Sequence, residues 1–278
     1  MTSLGKPSFR LTAWDITLVV ILLGLVLLSI AGPMLAPLDP AKVDFRARMH
    51  GPSLAYPLGT DWMGRDQLSR LLTGAGSSLG LSLLISLGSA LLGLAIGLLS
   101  AATGRWGDRL LTRGTEVLFA FPELIAALAI SALFGPSIFN LVVALVLTGW
   151  MRYARLTRGL ALTIASRDHV ALARLAGLTR LAILRRHIIP LILPALLVMW
   201  TGGWARSILA VSSLGFLGFG IQPPAPEWGA MLLDARRYLV DAPHLIWVPG
   251  LAILAAVLSI SLAGDRLRDL FPFDEVKT

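Results

Sequence analysis

The sequence predicts an all-α membrane protein of about six transmembrane helices, and three observations carry that expectation. Of its 278 residues, 56% are hydrophobic and only 14% are charged, against about 25% charged in an ordinary soluble domain. The apolar residues gather into uninterrupted runs of about 18 residues or more, the length that crosses a bilayer. The runs lack the alternation of a membrane β-barrel, and lipid gives an open backbone no hydrogen-bond partner, so helices are the expected form.

Taken in order, no charge falls between Ile16 and Leu38, the first span. The uncharged stretch from Leu71 to Gly104 exceeds one crossing. Its first part is therefore expected to belong to the preceding loop or an interfacial turn. A third span is expected over 117–134. It closes on the turn signal Gly135-Pro136, and a fourth follows to about Met151. The fifth runs from near Ile188 to about Ser213 with Arg206 inside it, and the sixth from Ala242 to Gly264. Lys6 and Arg10 precede a run too long for a signal-peptide core, with no small-residue cleavage pattern, so no cleavable signal is expected.

Six spans place both termini on one side, and the basic residues then sort. Sixteen lysines and arginines fall before span one, between spans two and three, between four and five, and after six. Seven fall on the other side, among the acids Asp39, Asp44, Asp61, Asp66, Glu227, Asp234 and Asp241. The positive-inside rule puts both termini in the cytoplasm of a cell's inner membrane. The expected divisions are a cytoplasmic N-terminus (1–14), a first span (15–36) and an extracytoplasmic loop (37–73). A five-span core (74–264) with a cytoplasmic loop at 152–187 follows, then a cytoplasmic tail (265–278). The net charge of +8 is thus accounted for by loops, and a nucleic-acid partner is not expected.

The long cytoplasmic loop contains Arg167 and Asp168 at the start of a short helical pattern, in which Val170, Ala173 and Ala176 recur at helical spacing. Gly177 then permits a sharp turn, because it tolerates positive φ. Two readings fit: a small-faced helix for a groove on a partner protein, or an amphipathic helix resting on anionic lipid.

This segment resembles the cytoplasmic signature of the permeases of binding-protein-dependent importers, with Gly177 and Pro190 matching in type and spacing. Ala171 stands in place of that signature's glutamate, Leu172 in place of its first alanine, and Ala173 matches the second. The stretch from Pro57 to Asp61, with Gly64-Arg65-Asp66, is similar to an extracytoplasmic motif of the dipeptide/oligopeptide/nickel group. So are Phe216 to Pro224 running into Glu227-Trp228-Gly229, Trp150 with Tyr153-Ala154-Arg155, and Pro249-Gly250 with Gly264-Asp265 and Pro272.

That resemblance implies an ABC importer permease of type I fold, the shorter second permease of a pair. Its implied partners are a homologous permease, two ATPase subunits and an extracytoplasmic substrate-binding protein, within membrane lipid. The cargo would be di- or oligopeptides, or nickel and metal chelates. Arg167, Asp168, Val170, Ala173, Arg174, Gly177 and Pro190 would couple the chain to its ATPase. No cofactor is expected in this chain, and ATP and Mg would be held by the partners. The only Gly-Lys pair, Gly5-Lys6, precedes Pro7 and has no upstream glycine loop to cradle a phosphate.

Glu123 and Arg206 are charges inside expected spans. Such groups usually face a bundle interior or an aqueous path, so they could line the route or pair with each other; Glu123 could also be solvated at a helix end after Pro122. Asp61, Arg65, Asp66, Glu227 and Trp228 are candidate contacts outside. The first three could equally form a self-contained turn, and Trp228 an interfacial anchor. The four histidines lie far apart in sequence, with no spacing that builds a metal site. The chain has no cysteine, which excludes thiolate chemistry and disulfides. The rival class, a self-sufficient secondary carrier or channel, would favour paired repeats with broken helices, and no clear repeat is seen.

Overall fold

The computed structural model describes residues 13–119 and 122–271; residues 1–12 of the expected cytoplasmic N-terminus (1–14) and residues 272–278 of the expected tail (265–278), Pro272 among them, lie outside the described residues. Eleven helices are described: α1 Ala13–Leu35, α2 Gln67–Ala75, α3 Leu81–Ala102, α4 Gly104–Phe119, α5 Glu123–Phe134, α6 Ile138–Ala165, α7 Asp168–Leu175, α8 Arg180–Ile183, α9 Ile189–Phe216, α10 Trp228–Ala235 and α11 His244–Leu270. π-helical turns at Gly76–Gly80 and Leu184–Ile188 join α2 to α3 and α8 to α9.

Among the described residues, four helical stretches are long and apolar enough to cross a membrane: Trp14–Leu35, Gln67–Ala102, Arg180–Phe216 and His244–Leu270. The other two expected spans take a different form. The third is not one helix: Pro122 lies outside the helical region, with ψ of 129°, and caps α5, which starts at Glu123; residues 120–121 of this expected span lie outside the described residues. With 12 residues, α5 is only about 18 Å long. The fourth continues past Met151 to Ala165, so the expected loop from 152 begins as helix. Arg152, Arg155 and Arg158 recur at helical spacing there; Arg152 meets Glu123 and Arg155 meets Thr115 across the bundle. The extra length of span two is α2, a buried helical turn continuous with α3 rather than a loop.

The bundle is organised around α9, which contributes to three buried clusters. Trp204 and Ile208 pack with Leu79, Trp228 and Ile260; Ile192 and Leu196 with Tyr153, Ile164 and Val170; Val211 and Leu214 with Ile85, Leu141 and Leu145. A serine stripe on one face of α3 receives the α9 indoles: Trp200 Nε1 donates to Ser86 at 3.2 Å and Trp204 Nε1 to Ser82 at 3.1 Å. Leucine, valine and isoleucine side chains along α1 stay exposed, as a lipid-facing helix requires. Asp15 at the start of α1 bonds Arg266 near the end of α11 at 2.5 Å, so the two ends of the described chain meet at one end of the bundle, the end that carries α7.

A close helix approach joins α3 to α6. A Cβ placed on Gly93 would lie 2.5 Å from the Trp150 carbonyl oxygen and 2.9 Å from the Ala154 nitrogen, and both obstacles are helix backbone. The same close approach recurs at Gly97 against Ala154 and Thr157, whereas Gly80 has nothing near it. Gly93→Leu is expected to cost about 3 kcal/mol or more, the upper range of overpacking penalties. Thermal unfolding in detergent checks it, with Gly80→Leu as the tolerated control.

Candidate translocation route and coupling segment

At one end of the bundle, α7 stands between α6 and α8. Arg167 precedes it in extended conformation, and Asp168 occupies its first turn, where the helix dipole favours an acid. Val170, with no exposed surface, and Ala173 point inward against Ala161, Ile164 and Ile183. The helix closes in a Schellman motif: Leu178 N–H donates to Ala173 O at 3.1 Å and Gly177 N–H to Arg174 O at 3.0 Å. Gly177 takes φ of +79°, which a β-branched residue tolerates poorly. Thr179 caps α8. Pro190 sits in the first turn of α9, where its missing N–H leaves no gap.

The expected coupling residues therefore divide by position. Val170 and Ala173 fasten the segment to its own bundle. Gly177 and Pro190 shape its turns. The outward face consists of Arg167, Asp168, Ala171, Leu172, Arg174 and Leu175, with Leu172 65% exposed. His169 and His187, far apart in sequence, come together here with ring centroids 6.1 Å apart; among the described residues no group of three or more metal-ligand side chains forms.

Midway along the bundle, Arg152 on α6 donates to Glu123 at the start of α5 at 2.5 Å. The expected pairing of Glu123 with Arg206 is corrected: α5 packs on α6, which delivers Glu123 to Arg152. All three charges line one cavity, with Ser89, Gly149 and Tyr153. Among the described residues Arg206 has no ion-pair partner, and its side chain lies beside Gly202 and Gly203. It also faces, with Arg152, a wider groove of about 700 Å³ between α6, α9 and α11. The arrangement offers a small polar chamber, one excess positive charge and an open groove. Glu123 and Arg152 are each about a third exposed, so their pair contributes under about 1 kcal/mol to stability. Glu123→Gln is accordingly expected to leave the fold and assembly intact while lowering uptake several-fold. Uptake and detergent melting, measured on the same preparation, check both halves.

At the opposite end, the candidate external contacts turn out to be internal. Asp61 takes Arg65 Nε at 2.6 Å and Arg70 Nε at 3.5 Å, and both arginines reach Asp234 on α10, at 3.5 and 3.6 Å. Asp66 caps α2 through Ser69 N and Oγ, at 2.8 and 2.6 Å. Glu227 accepts from Gly229 N and Ala230 N, each at 2.8 Å, and from Ser78 Oγ at 3.0 Å. Trp228 donates its indole N–H to Leu71 O at 3.0 Å. Asp61, Arg65, Asp66, Glu227 and Trp228 are all at most 5% exposed. The expectation of surface contacts is corrected: these residues lock the 37–73 loop and α10 onto the bundle, and Trp228 is a buried clamp rather than an interfacial anchor. Burial raises the Glu227 carboxyl above its ordinary value, against the two N–H donors and Ser78. Burial likewise raises Asp234, against Arg70 and Arg65.

The family described as binding-protein-dependent transport system inner membrane component matches residues 93–273. The chain belongs to that family. The match spans the coupling segment, the charged cavity and α10. This inner membrane component is 40% identical over 278 residues to a putative peptide transport system permease protein of Brucella suis, covering 97% of this chain and 93% of that one. It is 34% identical to the dipeptide transport system permease protein DppC of Alkalihalophilus pseudofirmus, over 90% of this chain and 82% of the relative. It is 40% identical to the glutathione transport system permease protein GsiD of Pectobacterium atrosepticum, over 88% and 82%. Its fold is shared with the inward-facing MetNI methionine ABC transporter, at a TM-score of 0.58 and 18% identity over 72% of this chain and 96% of that chain. The chain is thus a membrane protein and the permease component of an ABC importer, a class that works in a complex with ATPase and other subunits.

Sequence reasoning missed Arg152, Arg70 and Ser78. Arg152 had a signal in its helical spacing to Arg155 and Arg158. Ser78 had one too, since Ser78, Ser82, Ser86 and Ser89 recur every three or four residues and so share a helix face. The Arg70–Asp234 link joins residues too distant in sequence to have left any local signal.

Proposed function

We propose that this chain is the shorter of two homologous permeases in an importer of small peptides, with both termini in the cytoplasm. Two ATPase subunits, which hold ATP and Mg, dock on the outward face of α7, and an extracytoplasmic binding protein delivers the cargo to the end that carries α10. Closure of the ATPases pushes α7. Because Val170 and Ala173 tie α7 to α6 and α9, the push rocks the helices around Glu123, Arg152 and Arg206, and opens the route to alternate sides. The relatives' named cargoes, peptides and glutathione, favour peptides over nickel or metal chelates.

The observation that carries this reading is the family match over 93–273, which includes a short helix with an exposed apolar and basic face ending in a Gly177 turn. The test is uptake of a radiolabelled dipeptide into proteoliposomes holding the complex that co-purifies with this chain. Uptake is expected to require the binding protein outside and ATP on the α7 side. Gradient-driven uptake by the purified chain alone would overturn the proposal in favour of a self-sufficient carrier.

A further inference from the structure

Beside α7, the ends of α3 and α6 and the helical stretch from α8 to Ile188 enclose an open groove of about 980 Å³. Its floor is apolar: Leu98, Leu99, Ala102, Leu162 and Leu181 line it, and Leu99, Leu162 and Leu181 remain 65%, 41% and 55% exposed. Its rim carries Arg174 from α7 and Arg180 from α8. The Gly177 turn sets these two side by side on one mouth, and neither has an ion-pair partner among the described residues. Arg174 commits one N–H to Ala165 O at 3.3 Å, which leaves most of its five donors unused. No acid lines the groove.

An apolar trough opening beside two guanidinium groups, in a membrane protein, has the chemistry of an anionic lipid: hydrocarbon below, phosphate above. We propose that this groove holds one anionic phospholipid, its acyl chains along α3 and α6 and its phosphate between Arg174 and Arg180. The lipid bridges α7 and α8 across the Gly177 turn, so it fastens the coupling segment to the membrane surface. A protein helix in the same trough would need an acidic group at its end to satisfy the same two arginines. A free phosphate would leave the exposed leucines uncovered. The inference rests on membrane embedding, and it stands or falls independently of the cargo.

The test is native mass spectrometry of the full chain, purified in mild detergent and supplied with equal amounts of dioleoylphosphatidylglycerol and dioleoylphosphatidylcholine. One phosphatidylglycerol is expected to stay bound at least fivefold in excess of phosphatidylcholine. The double variant Arg174→Gln/Arg180→Gln is expected to abolish that excess. Leu181→Glu, which keeps both arginines and sets a carboxylate at the groove, is expected to do the same. All three positions are exposed, so melting temperatures should match the unmodified chain. Equal retention of the two lipids, or an excess that survives both variants, overturns the proposal. So does full displacement of phosphatidylglycerol by millimolar inorganic phosphate, since the acyl chains would then contribute nothing.

Discussion

Replacing Glu227 with alanine is expected to cost about 3–5 kcal/mol and to strip α10 from the bundle. The side chain has no exposed surface, and its two oxygens serve three donors: Gly229 N, Ala230 N and Ser78 Oγ. Losing the N-cap alone costs about 1 kcal/mol. Each buried donor left without an acceptor adds about 1–3 kcal/mol. Nothing nearby can fill the gap, because Gly215 already crowds the carboxylate so closely that a Cβ there would strike it. Glu227→Gln keeps one acceptor and carries no charge. Burial raises the native carboxyl above its ordinary value because the buried charge is the costly form, so the uncharged amide should lose less than half as much. Detergent melting of the two variants is the measurement. Equal, small losses would contradict the clamp.

Val170→Asp is expected to disable coupling while leaving most of the bundle standing. Val170 is fully buried among the apolar side chains of Ala161, Ile164, Ile183 and Ile192. An unpaired buried charge costs about 3 kcal/mol or more. The cheapest escape is local: α7 has eight residues at the bundle's edge, and releasing it exposes little of the core. The expected outcome is a small fall in melting temperature with uptake reduced at least tenfold, although ATPase subunits still hydrolyse ATP. Leu172→Asp, on the exposed face, places the same charge without the burial and should leave melting unchanged.

How much of this was legible in advance depended on how local its cause was. The apolar runs and the Gly177 turn are set by short-range chemistry, so composition and spacing reveal them. The expectation of external contacts failed because a charge in a glycine-punctuated loop reads as exposed. Whether Asp61 and Arg65 are buried depends on Arg70 and Asp234 arriving from elsewhere. The same holds for Glu123: its sequence neighbourhood is apolar, and its partner Arg152 is supplied by the packing of α5 on α6. The expected loop from 152 failed for a related reason, since basic residues signal a cytoplasmic position without signalling where a helix stops. The helix runs on to Ala165, and tertiary partners, Glu123 and Thr115, receive Arg152 and Arg155 within it.

The central claim is that α7 passes work from a nucleotide-hydrolysing subunit to the bundle. The chain has no cysteine, so Leu172→Cys gives a single, unambiguous attachment point on the outward face of α7. Leu54→Cys gives another in the fully exposed loop at the opposite end. With a photoactivatable maleimide attached to the assembled complex, Leu172→Cys is expected to cross-link to the ATPase subunit in a yield that changes with bound nucleotide, and Leu54→Cys to leave that subunit unlabelled. Labelling of the ATPase from Leu54→Cys but not from Leu172→Cys would contradict the account.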